Sequence, residues 1–219
     1  EAWGGIGGCT GRVCRGSAGH GAQLGPRVSG LIAFNFDGLV ELGVASGYST
    51  MNARVEPDRQ AFDIYGMAVD DVPERYMDGL DLGSLAVREA RLDDLRIGTV
   101  ARFHLIRRGR FAVFAGSGFG YHRFRTRFKT AAGATSLNFH GFDIPLEAGA
   151  KLYLTPRVAL GLRASYSLNY YLSIKAEQSD AQNEAALKLF DEELTRRESS
   201  LRNELPNFWS TSLALTLTI

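Results

Sequence analysis

Every second residue is apolar along much of this chain. Between residues 158 and 173 the sequence reads VALGLRASYSLNYYLS, in which Val, Leu, Ala and Tyr alternate with Gly, Ser, Asn and one Arg. Successive side chains of a β-strand point to opposite sides, so this alternation predicts a strand with one apolar face and one small, polar face. The pattern recurs and predicts seven strands, at about 27–36, 40–48, 95–105, 111–121, 142–154, 158–173 and 210–219. An eighth strand is expected at about 3–8, because a closed bacterial barrel has an even number of strands.

The predicted strands are joined by connections of two lengths. The short connections lie at 37–38, 107–110 and 155–157. Asp37-Gly38 is a preferred two-residue hairpin turn, because both of its positions need positive φ. The long connections lie at about 9–24, 52–91, 129–139 and 174–206. Short and long connections alternate, so all tight turns fall at one end, as in transmembrane barrels with short periplasmic turns and long extracellular loops.

The composition of the polar face decides between two kinds of barrel. A soluble carrier barrel holds its apolar face inside and turns Lys, Glu, Gln and Thr to water, whereas a membrane barrel does the reverse. Here the polar face is mostly Gly, Ala, Ser and Asn, which suits the narrow interior of eight strands. Its isolated charges have both signs and are expected to pair, because an unpaired buried charge costs several kcal/mol. The predicted lumen network consists of Glu41, Arg96, Arg102, Asp143, Glu147, Lys151 and Arg163.

Length, charge and hydropathy narrow the fold class. The chain has 219 residues and a formal net charge of +1, so we expect a single domain spanning 1–219 and no nucleic-acid partner. It contains no run of about 18 or more apolar residues, which excludes a transmembrane helix but not barrel strands, since these need only about 9–11 residues each. We therefore predict an all-β fold, an eight-stranded antiparallel up-and-down transmembrane β-barrel.

Three segments resemble the small outer-membrane barrels of the OmpA, OmpX and OmpW type. They read GLIAFNFDGLVELGVASGY, RFAVFAGSGFGYHRF and PLEAGAKLYLTPRVALGLRASYSL. The last is similar to the hairpin of a glycine-rich and a regular strand in that superfamily. The resemblance covers most of 24–173 and 207–219 and is specific for architecture rather than for a subfamily. It implies an integral protein of the bacterial outer membrane, surrounded by outer-membrane lipid and lipopolysaccharide.

The two cysteines, Cys9 and Cys14, lie in the segment CTGRVC. Neither CxxC nor CxxCH is present, which weakens the hypothesis of a metal or redox site. In an oxidising compartment such a pair favours a short disulfide that closes a loop. We expect no metal ion and no cofactor.

The last long loop contains a predicted helix at 180–204. A capping-box sequence precedes it, and several Glu-to-Arg and Glu-to-Lys pairs are spaced i,i+4, with Glu first. Its narrow apolar stripe includes Phe190, Leu194 and Leu201. Two interpretations stay open: a helix that docks a partner or covers the barrel mouth, and a self-stabilised helix packed on neighbouring loops.

Basic residues occupy every second position just beyond the predicted strand 111–121. They are Arg123, Arg125, Arg127 and Lys129. At the predicted outer surface they could contact the phosphates of lipopolysaccharide, which arginine binds well. The alternative is a solvated extension of the strand, in which exposed charges contribute little.

No catalytic residue is predicted. An enzyme at the rim of a barrel needs a nucleophile and a base, and His122, His140 and the intervening Ser136 are the residues available. No sequence pattern supports a triad among them, and a triad is recognised by geometry. The acidic residues of 52–91 lack the spacing of a calcium loop.

Three hypotheses for the function follow. The first is a non-enzymatic surface barrel, whose loops and loop helix contact a protein partner or an envelope component. The second is transport of a small or hydrophobic ligand, and the third is an enzyme that modifies envelope lipid. A narrow lumen filled with paired charges favours the first.

Overall fold

A computed structural model describes residues 1–10, 14, 20–22, 24–55, 87–130, 133–178 and 206–218. The predicted helix at 180–204, with Phe190, Leu194 and Leu201, lies outside the described residues, as does most of 52–91. Within the described residues, no helix has the length and hydropathy needed to cross a membrane.

The described strands form one antiparallel sheet that closes on itself. They are β1 (Ala2–Thr10), β2 (His20–Ala22), β3 (Gly25–Phe36), β4 (Val40–Val55), β5 (Val87–Arg108), β6 (Phe111–Thr130), β7 (Gly133–Thr155), β8 (Val158–Gln178) and β9 (Asn207–Leu217). β1 pairs with β3 and β9, and β4 pairs with β5, so the ring runs β1–β3–β4–β5–β6–β7–β8–β9 and returns to β1. The short β2 pairs with β4 beyond the end of β3 and continues its line. The predicted eight-stranded barrel is confirmed, including its first strand.

Tight turns define one end of the barrel, which we call the turn end. They occupy 37–39, 109–110 and 156–157. Asp37 has φ 51° and Gly38 has φ 70°, and a side chain tolerates such values poorly unless it is Asp or Asn. The connections that follow β1, β4, β6 and β8 lie at the opposite end, which we call the loop end.

The strands reach further toward the loop end than the alternation predicted. The prediction of a long loop at 129–139 is wrong, because β6 continues to Thr130 and β7 begins at Gly133. The predicted loops at 9–24, 52–91 and 174–206 are shortened in the same way by the ends of β1, β4, β5 and β8. Backbone pairing persists in these segments although the pattern of polarity changes.

The outward face of the barrel is an apolar belt. Its side chains include Ile32, Leu162 and Leu213, which are 81%, 58% and 70% exposed. So large a continuous apolar surface is favourable against lipid rather than water. Aromatic side chains border the belt at both ends. Those near the turn end are Phe34, Phe36, Phe103 and Phe111, and those near the loop end are Tyr48, Tyr121, Tyr166, Tyr170 and Trp209.

These aromatic girdles mark the two interfaces between membrane and water. The distance between them corresponds to roughly ten residues of tilted strand, for example from Phe111 to Tyr121 on β6, which is the length that a transmembrane strand needs. A closed ring with an even number of strands and an apolar outer belt is the architecture of bacterial outer-membrane proteins. The chain is an integral outer-membrane barrel.

Beyond the loop-end girdle the polarity of the wall inverts. On β6 the outward residues change from Phe119 and Tyr121 to Arg123 and Arg125, while the inward side gains the fully buried Phe124. This section has apolar side chains inside and polar ones outside, as water requires. We call it the collar; it comprises 49–55, 87–94, 122–130, 133–140 and 171–178.

Candidate functional site

The half of the lumen nearest the turns holds a group of charges that we call the turn-side ion cluster. Its members are Glu1, Glu41, Arg102, Glu147, Lys151 and Arg163. Arg102 is fully buried at its centre. Its Nε donates to Glu147, and its Nη1 lies 2.6 Å from Glu1 Oε2 and 3.5 Å from Glu41 Oε2.

Lys151 and Arg163 complete this cluster. The Lys151 ammonium donates to Glu1 and lies 2.6 Å from Glu41 Oε1. Arg163 Nη1 lies 3.4 Å from Glu147 Oε2. Three cations therefore face three carboxylates among the described residues, which offsets the cost of burying each charge.

Two aromatic rings support these cations from the lumen side. The Arg163 guanidinium lies 4.3 Å from the centre of the Trp3 ring, and that of Arg102 lies 4.8 Å from the centre of Phe114. Both distances fall within the range of cation–π attraction, which is stronger when the pair is removed from water. The rings thus fill space between the charges.

A second group of charges, the loop-side ion cluster, lies at the base of the collar. It is centred on Asp94, which is 1% exposed. His122 Nε2 lies 2.5 Å from Asp94 Oδ1, and Arg96 Nε lies 3.1 Å from Oδ2. Arg96 also reaches Asp143 Oδ2 at 3.4 Å and donates to the Ser167 hydroxyl. Arg27 is the remaining member, with Nη1 3.7 Å from Asp94 Oδ2.

An apolar layer closes the lumen above the loop-side cluster. The Phe124 ring lies 5.4 Å from the rings of both Phe139 and Phe208, and Phe139 lies 5.9 Å from Tyr171. All of its members are at most 5% exposed. The layer consists of Met51, Leu92, Phe124, Leu137, Phe139, Tyr171 and Phe208.

The structure divides the predicted lumen network between the two clusters. Every predicted member is buried and lies on the inward face of its strand. Arg96 and Asp143 belong to the loop-side cluster, and the other five belong to the turn-side cluster. The predicted residues are therefore not one network but two groups on either side of a central cavity.

Sequence reasoning missed Glu1, Asp94 and His122, and it did not assign Arg27 to the network. Asp94 follows the same alternation as Arg96 but lies one position outside the predicted strand. His122 likewise lies one position beyond the strand predicted to end at 121. Extending the alternation past the last apolar outward residue would have identified both.

The four basic residues predicted to contact lipopolysaccharide lie outward on the collar, directly beyond the girdle residue Tyr121. Two of them are oriented by neutral partners on β7. Arg123 Nη2 donates to Asn138 Oδ1 at 2.9 Å, and Arg125 Nη2 donates to Ser136 Oγ at 3.0 Å.

The other two basic residues have acidic partners on β5. Arg127 Nη2 lies 3.3 Å from Asp93 Oδ2, and Lys129 Nζ lies 2.7 Å from Glu89 Oε2. Asp93 also raises the pKa of Arg91 above its ordinary value through their direct attraction. We call this surface the basic patch and define it by Arg91, Arg123, Arg125, Arg127 and Lys129; among the described residues, Asp93 and Glu89 are the carboxylates that contact it.

The hypothesis of an enzyme that uses Ser136, His122 and His140 receives no support from the geometry. His122 points into the lumen toward Asp94, whereas His140 lies on the outward side, with Nδ1 2.6 Å from the Tyr121 hydroxyl. Ser136 accepts a hydrogen bond from Arg125 and lies four positions along β7 from His140, roughly 13 Å away. The barrel wall separates the two histidines, so they cannot act on one substrate.

The predicted disulfide is confirmed, because Cys9 and Cys14 are bonded to each other. The bond ties the loop end of β1 to the residues that follow it. Among the described residues, no group of His, Cys, Asp and Glu is arranged to hold a metal ion.

No protein-family model matches the chain, and no curated protein matches it. Among solved structures it is similar to a major outer membrane protein from Thermus thermophilus, with 11% identity, a TM-score of 0.48 and coverage of 98% of both chains. It is also similar to CarO from Acinetobacter baumannii, with 8% identity, a TM-score of 0.39 and coverage of 99% of this chain and 97% of that chain. At such distances the likeness adds nothing on function, and the membrane assignment rests on the closed ring, its belt and its girdles.

Proposed function

We propose that this barrel is closed to solutes and has a structural and surface-interaction role in the outer membrane. The observation that carries the proposal is the filled lumen. Two ion clusters and an apolar layer follow one another along its axis, and each carboxylate of the clusters contacts at least one cation. An eight-stranded interior is only wide enough to be filled by side chains, so an open aqueous path would require several of these layers to rearrange together.

Electrical recordings test the closed lumen. Purified barrel reconstituted into planar bilayers is expected to produce no ion-conducting steps, and liposomes that contain it are expected not to swell in small sugars. Incorporation is checked by the heat-dependent migration of the protein recovered from the same vesicles. Reproducible conductance from the folded protein would replace this proposal with the transport role.

The surface contact that the collar supports best is with the phosphates of lipid A, the anchor of lipopolysaccharide. The members of the basic patch nearest the girdle, Arg123 and Arg125, lie close to the height of the lipid head groups. Among the described residues, no carboxylate pairs with Arg123, so its charge is available to an external anion. The planar guanidinium group suits bidentate contact with phosphate.

A double substitution tests this contact. Arg123→Gln with Arg125→Gln is expected to lower the amount of lipid A that remains bound during purification, and to weaken binding of added lipid A at least severalfold. The matched control is Arg107→Gln with Arg108→Gln, which removes two exposed arginines at the turn end. Equal lipid retention by the wild type and both variants would leave the patch as a solvated strand extension.

A protein partner that binds through the loops at 52–91 and 174–206 completes the proposal. The collar holds the strands that lead into both loops above the membrane. Affinity capture from native outer membranes, with the full chain and with a variant in which a short linker replaces 179–205, tests this part. Identical captured proteins would remove the last loop from the binding surface.

A further inference from the structure

The two ion clusters are separated by a cavity at the centre of the lumen. Its volume is about 60 Å³, several times the volume needed to hold one water molecule. The space persists partly because inward positions of β5 and β6 are glycine. A Cβ atom added to Gly98 would lie 2.4 Å from the Gly120 Cα, so that only glycine allows the two strands to approach there.

Five charged side chains line this cavity. The cations are Arg27, Arg96 and Arg163, and the carboxylates are Asp143 and Glu147. Both carboxylates are already engaged, Asp143 by Arg96 and Glu147 by Arg102 and Arg163. The lining therefore has one more cation than carboxylates, and both carboxylates are already bound to arginines.

Arg27 is the least satisfied of these cations. It is 8% exposed, and its nearest carboxylate oxygen, on Asp94, lies 3.7 Å away, which is too far for a hydrogen bond. Asp94 is itself held by His122 and Arg96 at shorter distances. Within the described part of the chain Arg27 donates no hydrogen bond, and its buried Nε lacks a partner. A guanidinium has five N–H donors and stays charged at every relevant pH.

The neighbouring guanidinium groups also have donors to spare. Among the described residues, Arg96 Nη2 and Arg163 Nε are buried without an acceptor. Three arginines from β3, β5 and β8 thus line one cavity, and each has a buried N–H group that lacks an acceptor among the described residues. A buried donor without an acceptor is costly, and more so on a charged group; this cost falls if an anion occupies the space.

We propose that the central cavity is a binding site for one small monovalent inorganic anion, of the size and charge of chloride. The space holds such an ion together with a few water molecules. Asp143 and Glu147 disfavour a divalent anion by repulsion. The ion joins the loop-side cluster to the turn-side cluster through Arg27, Arg96 and Arg163.

Thermal unfolding of the detergent-solubilised barrel tests the site. At constant ionic strength, replacing gluconate by chloride is expected to raise the midpoint by several degrees and then to saturate, as binding to the folded state alone requires. Bromide is expected to act in the same way. Arg27→Gln removes the charge but keeps a polar side chain, and it should abolish the dependence on chloride. Arg107→Gln, at the turn end, is the matched control and should retain it.

A bromide-soaked crystal gives a second, independent readout on the wild-type chain. We expect an anomalous peak within hydrogen-bond distance of Arg27 and at least one of Arg96 and Arg163. Equal midpoints in chloride and gluconate, or a cavity that contains water only, would overturn the proposal even if Arg27→Gln does not fold.

Discussion

Individual charged residues of the lumen gain their stability from partners on other strands. Arg102 contacts carboxylates contributed by β4, β7 and the start of the chain, together with the Phe114 ring on β6. Removing one member of such a group leaves the others buried without a partner, which is far more costly than the net value of the pair. The contribution of each residue is therefore visible only when its partners are changed as well.

Substitution of Arg102 tests this dependence. Arg102→Gln is expected to lower the free energy of unfolding by about 3–5 kcal/mol, because Glu147 loses its closest cation and Glu41 keeps only Lys151. Adding Glu147→Gln should restore part of the loss, since it removes an unpaired charge. Unfolding in urea, followed by fluorescence in lipid vesicles, measures both. Arg108→Gln, at the exposed end of β5, should change the free energy of unfolding by no more than about 0.5 kcal/mol. A loss as large as that of Arg102→Gln would mean that stability depends on the total charge of the protein and not on the turn-side ion cluster.

At the scale of single residues, the sequence predicted which charged side chains point into the lumen. Mixed charges on a small-residue face identified seven buried members correctly as inward, because strand geometry fixes the side of every second residue. Which residues pair could not be predicted, since partners such as Arg102 and Glu41 lie far apart in sequence and meet only through strand register. Arg27 could not be recognised as the least satisfied cation, because the distance from its guanidinium to the Asp94 carboxylate is set by the folded barrel and not by spacing in the sequence.

Single strands of this barrel pass through two environments. β6 presents an apolar outward face between Phe111 and Tyr121 and a basic one from Arg123 onward, and it stays paired with both β5 and β7 as far as Thr130. The outward face must match hydrocarbon in the first part and water in the second. The same strand therefore changes which of its faces is apolar.

Arginine substitutions at two depths on β8 test where the hydrocarbon lies. Leu162→Arg, at the middle of the belt, is expected to cost about 2–4 kcal/mol, whereas Tyr170→Arg, at the girdle, should cost about 1 kcal/mol or less. Both positions are outward and about half exposed, at 58% and 49%. Equilibrium unfolding in vesicles measures the difference, and equal costs at both depths would contradict the proposed placement of the bilayer.

The change of polarity explains why 129–139 was predicted as a loop. The prediction followed one apolar face and took its disappearance after Tyr121 as the end of a strand. In fact the period of two continues, with Phe124 and Phe139 now on the inward face. The alternation of apolar and polar residues, followed regardless of which face is apolar, predicts the longer strands. It does not predict the bulge between His140 and Gly141 in the pairing of β7 with β8.

The whole molecule is a closed ring with one tryptophan on each side of its wall. Trp3 lies inside and is 3% exposed, while Trp209 lies on the outward side of β9 beside Tyr166. Variants that keep a single tryptophan should therefore respond differently to lipids brominated along their chains. With Trp3→Phe, brominated lipid should quench the remaining fluorescence strongly, and with Trp209→Phe it should quench little. Equal quenching in the two variants would contradict the inside-out polarity.

Architecture was the most predictable level of all. Sorted connections and a small-residue polar face together favoured a membrane barrel from the sequence alone. Division of the lumen into two clusters around a cavity could not be predicted, because it depends on how far each strand is shifted relative to the next. The helix at 180–204 stays a prediction, because these residues lie outside the described part of the chain.

The collar also sets how far the strands extend above the membrane surface. β6 continues for roughly nine residues past Tyr121, and at about 3.3 Å per residue with a tilt of about 45° this amounts to about 20 Å above the head groups. The strand ends from which the connections leave therefore lie well above the membrane surface rather than among the head groups. A barrel trimmed to the girdle would lose that height while still crossing the membrane.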